Sequence, residues 1–374
     1  MTDSDVAERD GTEAPAAPSQ FPCGQCGAIL TFSPGTGHLK CPYCGHENAI
    51  PQSEADIEEL DFDAALAEGA REQETAEVVT IKCQSCAAEF TLPPNVQSDR
   101  CPFCGSTIVA EPVRHALLKP RSLLPFRIEE REARERFRKW LGSRWFAPAT
   151  LSRFAKSDGG LVGMYVPYWT YDSDTTSFYR GERGTDYVAT ETYTAQESGR
   201  TVTRTRQVTR TKWRAVSGTV WRHFDDVLVL ASSSLPRGPA RALEPWDLEN
   251  LAPYQDSYLS GFRAETYQVD LPAGFETAKS VMDGIIREEV RRRIGGNRQR
   301  IHSVRTRHAG VTYKHLLLPV WMNTYRYGGK PYTFLVNGRT GEVQGARPYS
   351  WVKIGLAILA AAIALGAVWW ITSS

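Results

Sequence analysis

Every one of the eight cysteines in this 374-residue chain belongs to a single spacing used twice. Cys23 and Cys26 are two residues apart, 14 residues follow, and Cys41 and Cys44 repeat the close pair. Cys83, Cys86, Cys101 and Cys104 copy that arrangement at an offset of 60. The later pairs read Cys-Pro-Tyr-Cys-Gly and Cys-Pro-Phe-Cys-Gly. A Cys-x-x-Cys turn aims two sulfurs at one point, and two such turns complete a tetrahedron. The pattern therefore predicts two four-cysteine zinc ribbons, with two Zn2+ per chain and all eight cysteines as ligands. Iron or an iron–sulfur cluster suits the same thiolates, and spacing alone leaves that open. Four disulfides are the remaining alternative. They need an oxidising compartment, and the acidic start Met-Thr-Asp-Ser-Asp is unlike a secretory signal. Gly27, Gly45 and Gly105 follow knuckle cysteines, where a positive φ turns backbone amides toward the sulfurs; Ala87 departs from that pattern. His38 and His46 flank the first site. Four thiolates already close the shell, so both are expected to be solvated loop residues.

The opposite end of the chain is the second constraint. From Ile354 to Ile371 there are 18 consecutive residues without charge, Pro, Asn or Gln. As a helix this run is about 27 Å long, close to the hydrocarbon thickness of a bilayer. Trp351 and the Trp369-Trp370 pair suit the two interfaces. Arg339, Arg347 and Lys353 precede the run and Thr372-Ser373-Ser374 follow it. The positive-inside rule then predicts a single anchor over 351–371 in the inner membrane, with the bulk of the chain cytoplasmic. Cytosolic thiols stay reduced and free to bind metal, which agrees with the ribbons. A buried core helix is the alternative, and it needs a body that wraps it.

Between these ends the expected organisation is α+β. Residues 1–20 read as disordered, 21–50 as ribbon one, 51–79 as an acidic linker, 80–110 as ribbon two and 120–349 as a larger antiparallel α+β domain. The linker is expected to let the ribbons swing. Within it Leu60, Phe62, Ala65 and Leu66 suit a short amphipathic helix. The large domain carries an internal echo. Ala133, Phe137, Trp140 and Leu141 stripe a helix over 129–142, followed by a strand containing Pro167-Tyr168-Trp169. Ala278, Met282, Ile286, Val290 and Ile294 stripe a helix over 275–294, followed by a strand containing Pro319-Val320-Trp321. Proline inside each strand predicts an edge position or a bulge. Residues 185–221 alternate Thr, Arg, Val and Tyr and predict long antiparallel strands with a wet face.

Catalytic patterns are missing. There is no GxxxxGK[ST], HExxH, GxSxG or GxGxxG, and His115, His223, His302, His308 and His315 are scattered. Asp225-Asp226 invites a carboxylate-pair reading, but neighbours on a strand face opposite ways. No enzyme is expected. The net charge of +1 gives no global pull toward nucleic acid or an acidic surface. The Arg-rich stretch 287–314 is either a solvated face or an attraction for anionic headgroups or an acidic partner.

Several segments together resemble a known family. They are the CPxCG ribbons, Val166 to Tyr171, Tyr258 to Tyr267, Leu317 to Trp321 and Val336 to Val343. The resemblance is to bacterial transcription-factor-IIB-type zinc-ribbon membrane proteins, often labelled primosomal N′ helicase-like, and it covers nearly the whole chain. The helicase label conflicts with the missing phosphate-binding motif. The resemblance implies a membrane adaptor in envelope stress that recruits flotillin-like (SPFH-domain) proteins and, through them, phage-shock protein A. Two readings of different class follow: a non-enzymatic adaptor for cytosolic or membrane-associated proteins, and a membrane-tethered nucleic-acid binder.

Overall fold

Three exceptionally long strands set the frame, and two of them contain the Thr/Arg alternation. The computed structural model describes residues 21–51, 57–68, 75–91, 98–109, 112–144, 160–197, 200–327, 330–346 and 349–373. The tail expected to be disordered, 1–20, lies outside them. Ribbon one holds β1 (Thr31–Phe32), β2 (His38–Lys40) and β3 (Glu47–Ala49). The linker supplies β4 (Leu60–Asp61) and α1 (Phe62–Glu68). Ribbon two and its flanks hold β5 (Thr75–Lys82), β6 (Glu89–Phe90), β7 (Ser98–Arg100), β8 (Thr107–Val109) and β9 (Pro112–Leu118). The body follows as β10 (Ser122–Leu123), α2 (Glu130–Gly142), β11 (Val162–Glu197), β12 (Arg200–Leu230), α3 (Arg237–Arg241), β13 (Ala252–Pro253), β14 (Arg263–Ala264) and α4 (Leu271–Ile294). It ends with β15 (Arg298–Tyr327), β16 (Lys330–Asn337), β17 (Val343–Gly345) and α5 (Trp351–Ser373). The class is mixed α+β.

The main sheet runs β12-β11-β15-β10-β13, with β14 on β11, β4 and β16 on β15, and β17 on β16. Both striped helices form where periodicity places them, burying Ala133, Phe137 and Leu141 on α2 and Ala278, Met282, Ile286, Val290 and Ile294 on α4. α4 starts at Leu271, four residues before the expected start at 275. The Asp270 side chain caps it by accepting from the Ala273 N–H, and Pro272 fits its first turn. Gly274 tolerates the close approach of Tyr171 and Trp169, where a Cβ would collide with both.

The prolines are not at edges. β11 and β15 are central and pair antiparallel, with Pro167 opposite Leu317 and Tyr165 opposite Pro319. Each proline sits where one neighbouring strand has stopped and the next begins. β14 ends opposite Tyr165 and β12 starts opposite Tyr168; β10 ends opposite Leu317 and β16 starts opposite Val320. The carbonyls of Pro167 and Pro319 accept from Ala231 and Gly338 on those gapped sides. A residue's N and C=O point to the same side of a strand, so each missing N–H falls in a gap where no partner waits.

The ribbons are part of the core and do not swing on a linker. One face of the sheet packs Tyr165, Leu317 and Trp321 against α2 and ribbon one's Leu30, Phe32, Leu39, Cys23 and Cys41. The opposite face packs Met164, Val166, Leu316 and Leu318 against ribbon two's Ile81, Phe90, Phe103, Cys83 and Cys101. A ribbon is too small to bury its own apolar side chains, so it uses the sheet as its second layer. The segment Tyr258 to Tyr267 clasps both ribbons. Ser260 accepts from the Phe32 N–H at 2.9 Å and donates its hydroxyl to the Leu30 carbonyl at 2.6 Å. Ala264 exchanges bonds of 2.9 Å with Thr91 while β14 lies on β11. The described middle of the linker, 57–68, is fixed too. β4 pairs with Thr312 and Tyr313 of β15, and Phe62 and Ala65 of α1 are buried against α4 and the sheet, whereas Leu66 is exposed.

Candidate metal centres

In each ribbon a tight turn presents the first cysteine pair and a second turn presents the other. The turns close through amide bonds to the first cysteine's carbonyl: Gly27 to Cys23 at 2.9 Å, Gly45 to Cys41 at 3.1 Å, Ala87 to Cys83 at 2.8 Å and Gly105 to Cys101 at 2.8 Å. The bonding residues are left-handed, with φ of 72°, 75° and 71° at the glycines and 60° at Ala87. Ala87 thus keeps the knuckle geometry that its side chain disfavours. Ala87 is exposed, so removing its methyl loses no packing. Ala87→Gly is expected to stabilise ribbon two by about 0.5–1 kcal/mol, the left-handed penalty less the glycine's added chain entropy. Slower metal loss to a chromogenic chelator and a raised Tm check this; no change would mean that the turn is unstrained.

The four sulfurs of each tetrad gather around one point. Cys23 Sγ lies 3.6 Å from Cys44 Sγ, Cys26 3.5 Å from Cys41, Cys83 3.7 Å from Cys104 and Cys86 3.7 Å from Cys101. A tetrahedron with metal–sulfur bonds of about 2.3 Å has edges of about 3.8 Å, whereas a disulfide is about 2.05 Å. The sulfurs are therefore set for metal, and within each tetrad all ligand atoms lie within 4.8 Å of one another. All eight predicted cysteines are brought together in their two groups, and neither group includes a histidine. Cys23, Cys41, Cys83 and Cys101 are buried, while Cys26, Cys44 and Cys86 face solvent. The Cys44 N–H points at Cys41 Sγ at 3.5 Å and, with the Tyr43 amide, draws that thiol down to about 6 against the effect of burial. Burial raises Cys104, but bonds from Ser106 and neighbouring cysteines outweigh it and hold the thiol near 7. Each tetrad thus holds at least one thiol primed to ionise, and a bound cation would draw off the rest.

A third cluster was not legible as a site. Two residues of β12, Asp225 and Asp226, bulge opposite Asp172 of β11, and Asp226 has φ of 50°. The bulge breaks strand alternation, so the adjacent carboxylates do not diverge as expected. Asp225 joins Asp172 and Glu59, and Asp226 reaches Lys314 Nζ at 2.8 Å. Lys314 also lies 3.1 Å from Glu59 and is buried. Its ammonium supplies the positive charge that a metal would bring, so the cluster reads as the tie between linker and sheet. Burial and the neighbouring Glu59 push Asp172 up to about 6. Among the described side chains the scattered histidines do not converge: His223 meets Asp174 at 2.9 Å, His302 lies 3.7 Å from Glu182, and buried His315 meets the Leu118 carbonyl at 3.1 Å.

Comparisons with known proteins add one relative. The chain is 27% identical over 347 residues, 89% of its own length and 91% of the relative's, to YdjG, an uncharacterized protein of Bacillus subtilis. No family model matches the chain, and no solved structure matches it.

Proposed function

We propose that this protein is a membrane-anchored, cytosol-facing adaptor. Its two structural zinc ions hold a rigid body that recruits other proteins to the inner membrane. The observation that carries the reading is the separation of α5 from the rest. The helix is long and apolar enough to cross a membrane, and none of its most apolar stretch is buried. A core helix would be wrapped by the body, so a bilayer is the natural cover for this one. The charges at Arg339 and Lys353 before it favour a cytosolic body. Zinc suits closed four-thiolate shells of this spacing, and a closed shell leaves no open position for metal catalysis. Confinement to a surface raises the effective concentration for a second membrane-associated protein. The family resemblance points to flotillin-like or phage-shock proteins as the recruits.

The test uses a fluorescently tagged flotillin-like partner in cells producing the full chain. Membrane foci are expected to disperse when 351–371 is deleted, and to return when an unrelated apolar helix replaces it. Unchanged foci, together with tight salt-sensitive DNA binding by the protein, would overturn the adaptor in favour of a tethered nucleic-acid binder.

A further inference from the structure

The sheet has one face that nothing in the described structure covers. Where β12, β11 and β15 run side by side beyond the ribbons, α4 lies on one face and buries Tyr179 and Val220. The alternate residues point the other way. Phe178 and Trp221 are 58% and 68% exposed there. The register places Thr176 between Trp221 and Arg307, Phe178 between Thr219 and Arg305, and Arg180 between Ser217 and Ser303. Two large aromatics and three arginines thus share a patch about 14 Å long and 10 Å wide, floored by small hydroxyl residues. Arg180, Arg305 and Arg307 are exposed and have no ion-pair partner among the described residues. Five other arginines of the basic stretch are engaged: Arg287 with Asp283, Arg291 with Glu288, Arg293 with Glu289, Arg298 with Asp186 and Arg300 with Glu182; Arg292 is exposed on α4, away from the patch.

We infer that this patch, centred on Phe178, Trp221, Arg305 and Arg307, is the docking surface for a short acidic protein segment carrying an apolar side chain beside its carboxylates. The inference rests on the recruiting role proposed above and names the chemistry of the recruit. Exposed Trp and Arg are the residues that concentrate binding energy at protein interfaces. The three unpaired guanidiniums call for carboxylates, which they bind bidentately. The ends of the patch argue against a nucleic acid. Carboxylates bound the patch at both ends, Asp174 in the row before Trp221 and Glu182 in the row after Arg180. A polyanion needs a continuous basic track, whereas a compact segment fits between those ends. Lipid is disfavoured because the patch lies at the far end of β15 from the strand that leads to α5.

The experiment uses the full chain in detergent micelles and a fluorescein-labelled peptide alternating Glu and Leu. The peptide is expected to bind. Arg305→Glu with Arg307→Glu, or Trp221→Ala, should each weaken it at least about tenfold. All three positions are exposed, and unchanged metal content and melting verify the fold. A peptide with Gln in place of Glu should bind at least about tenfold more weakly than the original. The inference fails if the acidic peptide does not bind, if charge reversal leaves it unaffected, or if oligothymidine or phosphatidylglycerol vesicles bind the same patch more tightly. The tagged-partner assay separates the two proposals. Recruitment that persists in a protein unable to bind the peptide sinks the patch alone. Peptide binding that charge reversal abolishes, without any anchor-dependent recruitment, upholds the patch and sinks the adaptor.

Discussion

Cys101→Ser is expected to unfold the body of the protein along with ribbon two. Cys101 and Cys83 are each 1% exposed and pack in one core with Met164, Val166, Leu316 and Leu318 of the central strands. Losing a ligand removes most of a structural metal's contribution, on the order of 10 kcal/mol. A domain's entire stability is about 5–15 kcal/mol, so the loss is comparable to the whole. Thr324 also donates its hydroxyl to the carbonyls of Pro102 and Phe103, tying the ribbon directly to β15. The checks are protease resistance of the body and metal content of the full chain in detergent. Wild type is expected to hold two metal equivalents and a resistant body. The variant is expected to lose resistance across 162–327, while exposed Ser85→Ala in the same knuckle changes neither. A resistant body with only ribbon two digested would show that the shared core is dispensable. Elemental analysis settles the metal: iron in place of zinc would correct its identity without changing the coupling.

The second large effect concerns α5. A chain ending at Ser350 is expected to move from the carbonate-resistant membrane fraction to the supernatant, with its metal content and melting unchanged. The helix leaves its most apolar stretch uncovered, with Trp369 and Trp370 about 70% and 71% exposed, so the body loses no packing when it goes. Fractionation and metal analysis of the truncated protein check this. Protease added to intact spheroplasts is expected to spare the ribbons of the full chain; their digestion would reverse the proposed orientation.

The metal tetrads were legible because ligation fixes both residue type and spacing, and all eight positions converge in space. α2 and α4 were legible from periodicity, as their stripes face one core each. What hid was long-range. The linker looked like a tether because its acidic run carries few apolar residues, yet Phe62 and Glu59 each find a partner more than 100 residues away, in Phe275 and Lys314. Pro167 and Pro319 looked like edge markers because a gap between neighbouring strands leaves no local trace. Asp225 and Asp226 looked divergent because a bulge depends on the register of two strands. The open patch was half visible: the arginine run was evident, but Phe178 and Trp221 lie far before it in the chain and reach it only through strand pairing.

β11 runs 36 residues without interruption, about 120 Å if fully extended. Its first residue pairs with Met322, at the end of the sheet where β17 passes the chain on to α5. Its last residue lies at the tip of the hairpin with β12, past the point where β15 stops opposite Gly184. With α5 in a bilayer, the first residues of this strand lie at the end of the sheet nearest the chain's entry into lipid, and its tip lies at the opposite end. For the adaptor proposed above, partners close to the headgroups and partners held away from them would meet different stretches of the strand, so distance from the membrane would sort them alongside chemistry.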